Sequence, residues 1–94
     1  MKIYPLQDRV LVQRIVEEEK TTSGLFIPDA AKEKSNRGIV LRVGPGKYIS
    51  GGYFVEPDIS KDDEILFNKY AVLEIEKDIL LMREDEILAI VEKD

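Results

Sequence analysis

The sequence predicts an all-β protein of 94 residues, a small barrel or sandwich of short strands in one domain, residues 1–94. Three observations predict it. No segment keeps a 3.6-residue apolar period, so no amphipathic helix is expected. Short runs rich in Val, Ile and Tyr recur along the chain, the composition that suits a pleated, half-buried surface. Gly, Pro, Asn, Asp and Ser punctuate those runs, as turns between short strands require.

In order, Ile3 to Leu6 leads in, with Pro5 restricting its conformation. Arg9 to Val16 reads as a strand: Val10, Val12 and Val16 alternate with Leu11, Gln13 and Ile15, interrupted by Arg14. Residues 17–36 read as a loop, within which Asp29 to Lys34 has the composition of one or two helical turns with Asp29 as N-cap. An isolated helix that short is marginal in water. Ile39 to Val43 is the next strand, ended by Gly44-Pro45-Gly46. Lys47-Tyr48-Ile49 and Tyr53-Phe54-Val55 flank Ser50-Gly51-Gly52, which predicts a hairpin, and Pro57 limits how far its second arm pairs. Ser60 to Asp63 is a polar turn. Glu64 to Phe67, Tyr70 to Ile75 and Ile79 to Met82 are short strands. Residues 83–86 turn the chain into a last strand, Ile87 to Val91, where Ile and Val favour sheet over helix.

Charged residues make up 35% of the chain, well above the usual ~25%, and the net charge is −5. The Lys and Glu excess fits either a hot-adapted source or simply a well-solvated surface. With no clustered Lys or Arg to neutralise phosphates, nucleic acid is not an expected partner. Cys and His are both absent, which removes disulfides, thiol nucleophiles and the commonest general base and transition-metal ligand. No apolar run approaches the ~18 residues of a membrane span, so no membrane partner is expected. The amino-terminal residues do not read as a signal peptide. A cytoplasmic protein is the expectation, although a processed organellar protein would look the same.

Motifs for chemistry fail on inspection. Gly44-Pro45-Gly46-Lys47 lacks the phosphate-loop pattern, because Leu41 stands where its first Gly belongs and Tyr48 where a hydroxyl must hold magnesium. Asp58 to Asp63 resembles the start of a calcium loop, but Asp63 takes the place of the Gly at the sharp turn. Ser23, Ser35, Ser50 and Ser60 have no histidine to activate them. No catalysis and no cofactor are expected.

One feature resists the bland reading. Leu25-Phe26-Ile27, preceded by Ser23-Gly24 and followed by Pro28, is a large apolar triplet inside a polar stretch of twenty residues, 17–36. Loops of that length in a compact domain are usually functional or disordered. The triplet is either one more buried strand or a plug for an apolar groove on a partner. Burying three such side chains is worth ~5–8 kcal/mol. Ordering the backbone costs ~1–2 kcal/mol per residue. A single copy therefore binds weakly, and several copies on one particle bind well through effective concentration.

The order Ile3-Tyr4-Pro5-Leu6-Gln7-Asp8-Arg9-Val10-Leu11-Val12-Gln13, then nine residues, then Ser23-Gly24-Leu25-Phe26-Ile27, resembles the opening signature of the GroES-type co-chaperonins. Arg37-Gly38-Ile39-Val40, Val43-Gly44, Asp63 to Phe67 and Glu86 to Val91 extend the resemblance over nearly the whole chain. It implies a small irregular β-barrel, one subunit of a homo-heptameric, dome-shaped lid on a GroEL-type chaperonin. Residues 17–36 would be the mobile loop, with Gly24, Leu25, Phe26 and Ile27 docking on the chaperonin. Ile3, Pro5, Leu6 and Ile87, Leu88, Ala89, Ile90, Val91 would be the edges that pair between subunits. Residues 47–58 would form the roof hairpin, with Tyr48, Ser50, Gly51, Gly52 and Tyr53 near its tip. Non-native protein would be enclosed beneath, and any nucleotide would be bound by the chaperonin. Two departures stand out: the hairpin is unusually aromatic, with Tyr48, Tyr53 and Phe54, and residues 68–78 lack the glycines common there in the family. The rival in another class is the GroES-like barrel of zinc-dependent alcohol dehydrogenases, whose Cys and His ligands and nucleotide domain are missing here. A β-barrel that binds oligonucleotides is disfavoured by charge.

Overall fold

The computed structural model describes residues 2–16 and 36–92. Eight strands run β1 (Arg9–Arg14), β2 (Arg37–Val43), β3 (Lys47–Tyr48), β4 (Phe54–Val55), β5 (Glu64–Phe67), β6 (Leu73–Glu76), β7 (Ile79–Arg83) and β8 (Ile87–Val91). Six of them form one antiparallel sheet in the order β6-β7-β1-β2-β5-β8, and β3 and β4 form a separate two-stranded hairpin. The all-β expectation holds. So do the hairpin, the polar turn at Ser60 to Asp63 and the turn before the last strand, which is a 3-10 turn over Glu84–Glu86. The apolar triplet and the short helical stretch at Asp29 to Lys34 lie outside the described residues.

The core is Val10 and Val12 of β1, Val40 of β2, Ile65 and Phe67 of β5, Leu80 and Met82 of β7, and Ile59 from the connection before β5. Val10, Val12, Val40, Ile65 and Leu80 have no exposed surface at all. Residues of one sheet bury one another this fully only if the sheet curls over its own face, the small-barrel arrangement. A bulge helps: Leu11 pairs with Arg42 and Val12 with Val40, which leaves Leu41 as the extra residue that bends β2. A second bulge, at Ile75, bends β6 along β7.

Gly38 shows how closely the layers approach. A methyl group there would run into Val12 Cγ1, the Gln13 carbonyl oxygen at 2.9 Å and Phe67 Cε1 at 3.3 Å. Glycine in β2 therefore lets the chain pass over the core where any side chain would push it away.

Arg14 explains the break in the Val10–Val12–Val16 alternation. Its side chain takes the next inward position of β1, only 6% exposed, where Nη1 reaches Glu74 Oε1 at 2.7 Å and Asp78 Oδ1 at 3.3 Å. The Arg14 amide also donates to the Asp78 carbonyl at 2.7 Å. The β6–β7 turn is thus tied to the end of β1, and Asp78 holds a positive φ of 62° to make the fit. The strand expected at Tyr70 to Ile75 begins later, at Leu73. Asn68 captures the preceding residues: its side-chain oxygen accepts from the Tyr70 amide at 3.2 Å and its carbonyl from Ala71 at 3.1 Å. A local side-chain turn wins over strand propensity there.

Gly38→Ala is expected to lower stability by about 1–3 kcal/mol by overpacking, measured as a shift in the urea midpoint at constant slope. The double substitution Glu74→Gln with Asp78→Asn leaves the Arg14 guanidinium without a counter-charge. Stranding a buried charge costs about 3–5 kcal/mol. Asn keeps the left-handed turn accessible, so the loss read by denaturation reports the charge rather than the backbone.

Candidate functional site

Three surfaces follow from the fold: the free edge formed by β8, the β3–β4 hairpin, and the stem from which residues 17–35 depart. Among the described residues β8 pairs with β5 alone, Ile65 opposite Ile90 and Leu66 opposite Ala89. Ile87 and Val91 are half-buried, whereas Leu88, Ala89 and Ile90 are exposed. An apolar edge strand with unpaired backbone groups is a template for another chain. The lead-in, residues 2–6, joins no ladder among the described residues. Pro5 is buried and Ile3 half-buried, Leu6 is 66% exposed, and the Tyr4 ring lies under the Arg42 guanidinium at 4.3 Å.

The hairpin is mounted on the barrel through the signature residues. The Gly44 amide donates to the Arg9 carbonyl and the Gly46 amide to the Gln7 carbonyl, each at 2.9 Å. Gln7 adopts a φ of 57° in the turn closed by the Arg9 amide on the Leu6 carbonyl at 3.1 Å. Lys47 Nζ then donates to Asp8 Oδ2 at 2.9 Å, and the Asp58 amide donates to Glu84 Oε2 at 3.1 Å on the other leg. Both legs are thus clasped to the body. Asp8 and Lys47 were not singled out as a pair from the sequence. They lie 39 positions apart, and the only local signal was a charged residue directly before a strand and another after a Gly-Pro-Gly turn.

Tyr48, Ser50, Gly51, Gly52 and Tyr53 are all exposed. Gly51 and Gly52 carry φ values of 87° and 81°, a left-handed pair that the turn demands and glycine supplies. The Gly52 amide donates to the Ile49 carbonyl at 3.2 Å and the Ile49 amide to the Tyr53 carbonyl at 2.8 Å.

Gly24, Leu25, Phe26 and Ile27 lie outside the described residues, but the stem is defined. The Ile15 amide donates to the Arg37 carbonyl and the Phe67 amide to the Asn36 carbonyl, each at 2.9 Å, and Arg37 Nη2 reaches Glu64 Oε2 at 2.5 Å. Both ends of the loop therefore leave from one fixed point on the sheet. Among the described residues, no three or more His, Cys, Asp and Glu side chains converge as metal ligands, and no helix is long and apolar enough to cross a membrane.

The arrangement is that of a small all-β protein with an exposed apolar strand at the sheet edge and a clasped, exposed hairpin. The family model of the chaperonin 10 Kd subunit matches residues 2–91, and this chain belongs to that family. It is 54% identical to a protein named co-chaperonin GroES from Nitratidesulfovibrio vulgaris (strain Miyazaki F), over 98% of this chain and 100% of that one. It is 52% identical to the co-chaperonin GroES of Solidesulfovibrio magneticus, over 98% of this chain and 99% of the relative. The co-chaperonin GroES of Geobacter metallireducens is 50% identical, over 98% and 100% respectively.

The clasp gives a pH signature. The Lys47 hydrogen bond outweighs burial and, helped by the Lys47 charge, holds the Asp8 carboxyl below its ordinary 3.8. The bond to Asp8 and its charge hold the Lys47 ammonium above its ordinary 10.5. A depressed carboxylate stabilises the fold above 3.8, and that contribution disappears as pH falls through the lower, folded value. The raised ammonium stabilises below 10.5, and its contribution disappears as pH rises through the higher, folded value. The stability gap between the native chain and Asp8→Asn should therefore be flat through neutral pH and narrow at both extremes, as followed by thermal unfolding against pH.

Proposed function

We propose that this chain is a co-chaperonin, working in the cytoplasm as a seven-membered ring that caps a GroEL-type chaperonin when nucleotide is bound and encloses non-native protein in a folding chamber. The observation that carries the reading is identity of 50–54% across 98% of the chain to proteins named co-chaperonin GroES. The exposed apolar edge supports it. Ile87, Leu88, Ala89, Ile90 and Val91 would pair with Ile3, Pro5 and Leu6 of the next copy, giving the lead-in the ladder it lacks among the described residues. Such a contact repeats head to tail and closes a ring.

In this reading Gly24 gives the backbone freedom at the loop tip, and Leu25, Phe26 and Ile27 enter an apolar groove on the chaperonin. One triplet gains too little to hold, because ordering the loop offsets most of the burial. Seven on one ring bind through effective concentration, and a modest change in the groove releases all of them. Nucleotide is bound and hydrolysed by the chaperonin, so the lid itself needs neither cofactor nor catalytic group.

Analytical ultracentrifugation of the native particle, alone and with a GroEL-type chaperonin plus nucleotide, tests both parts. The expected outcome is a seven-fold mass that joins the chaperonin only with nucleotide. Leu25→Glu and Ile27→Glu should each keep the ring mass and lose the complex. A chain that stays monomeric, or a Glu variant that caps normally, overturns the proposal.

A further inference from the structure

Three cations of the barrel each have a carboxylate beside them: Arg14 has Glu74 and Asp78, Arg37 has Glu64, and Lys47 has Asp8. Arg42 and Lys61 differ. Neither makes an ion pair among the described residues. Both line one open cleft of about 490 Å³, together with Tyr4, Pro5, Ile59 and Ser60. The Arg42 guanidinium lies over the Tyr4 ring at 4.3 Å, which holds the side chain in place and spends none of its N–H donors. Lys61 beside it is exposed, and so is Lys2 at the start of the lead-in.

In a chain of net charge −5, two neighbouring cations without a counter-charge stand out. A guanidinium fork next to an ammonium is complementary to a carboxylate. The wall of the cleft indicates where that carboxylate comes from. Tyr4 and Pro5 belong to the lead-in, which joins no ladder among the described residues, and β8 has a free edge that ends beside Glu92. Glu92 is exposed and makes no ion pair among the described residues. At the other end of β8 the carboxylates are engaged, Glu84 by the Asp58 amide and Glu86 by the Asn68 side chain. Every strand pair among the described residues is antiparallel. A lead-in laid antiparallel on the β8 edge of another copy points Leu6 toward Ile87 and Ile3 toward Val91. At about 3.3 Å per strand residue, Glu92 then comes within side-chain reach of the Tyr4–Arg42 stack.

We propose that Arg42 and Lys61 form a carboxylate site for Glu92 of the neighbouring copy, an ionic lock at one end of the strand contact. This rests on the ring reading above and adds to it the charged residues that select the contact. The apolar side chains of β8 and the lead-in supply area, which a slipped strand would supply nearly as well. The lock supplies direction: a lead-in laid the other way round, or slipped along the edge, leaves Glu92 away from both cations and brings acidic surfaces together without compensation. Tyr4 acts as a positioning residue, because its ring sets the plane in which the Arg42 donors are presented.

The test is a charge swap. Arg42→Glu, Lys61→Glu and Glu92→Arg are made singly, and Glu92→Arg is combined in one chain with each of the other two. Particle mass is followed by analytical ultracentrifugation over a dilution series at low and high salt, with circular dichroism of the dissociated chain as the check on folding. Each single change is expected to raise the concentration needed for the full particle about five-fold, the upper end for an exposed pair. Each combined chain should recover most of that loss, and the loss should shrink as added salt screens the charges. If Arg42→Glu does not fold, the swap at Lys61, an exposed position, decides alone. Single variants that assemble like the native chain, or losses that Glu92→Arg deepens instead of repairing, overturn the lock and leave the ring. A native chain that stays monomeric at every concentration overturns both.

Discussion

β1 is hydrogen-bonded on both sides, to β2 and to β7, while Val10 and Val12 are fully buried and Arg14 sits beside two carboxylates. Those requirements fix its register. A slip of one residue would turn Leu11 and Gln13 into the core and carry Arg14 away from Glu74 and Asp78. Because β1 is central, its register passes outward: β2 must bring Gly38 over Val12, β5 follows β2, and β8 follows β5. The position of the β8 edge is therefore set by packing at the centre of the sheet.

The same strand sets the hairpin. Gln7 and Asp8 in the turn before β1, with Arg9 at its start, supply the two carbonyls and the carboxylate that hold Gly46, Gly44 and Lys47. An exposed two-stranded ribbon is at best marginally stable by itself. Here its geometry is maintained by bonds at its base, which frees the side chains beyond Lys47 from any duty to the barrel.

Apolar exposure thus divides cleanly by position. Inside the curled sheet the described large residues satisfy one another. At β8 and along the hairpin, Leu88, Ile90, Tyr48, Ile49, Tyr53, Phe54 and Val55 stay exposed in strips that carry no charge. For the loop triplet, the stem at Ile15–Arg37 and Asn36–Phe67 brings both ends of the segment to one anchored point of the sheet.

Much of this was legible in the sequence. Period-2 alternation marks β1, short apolar runs between turns mark β2, β5, β7 and β8, and Ser-Gly-Gly between aromatic arms marks the hairpin, because local sterics act over a few residues. The spacing of the signature and the triplet gave the family. Sequence alone left other things open. Arg14 reads as an interruption until Glu74 and Asp78, sixty and sixty-four positions away, close on it. Asp8 and Lys47 read as two unrelated charges, and β6 starts at Leu73, later than its composition predicts, because Asn68 holds the residues after it in a turn. Only the tertiary structure decides such pairings: they depend on which distant strands become neighbours, and the curl of the sheet, not the order of residues, brings them together.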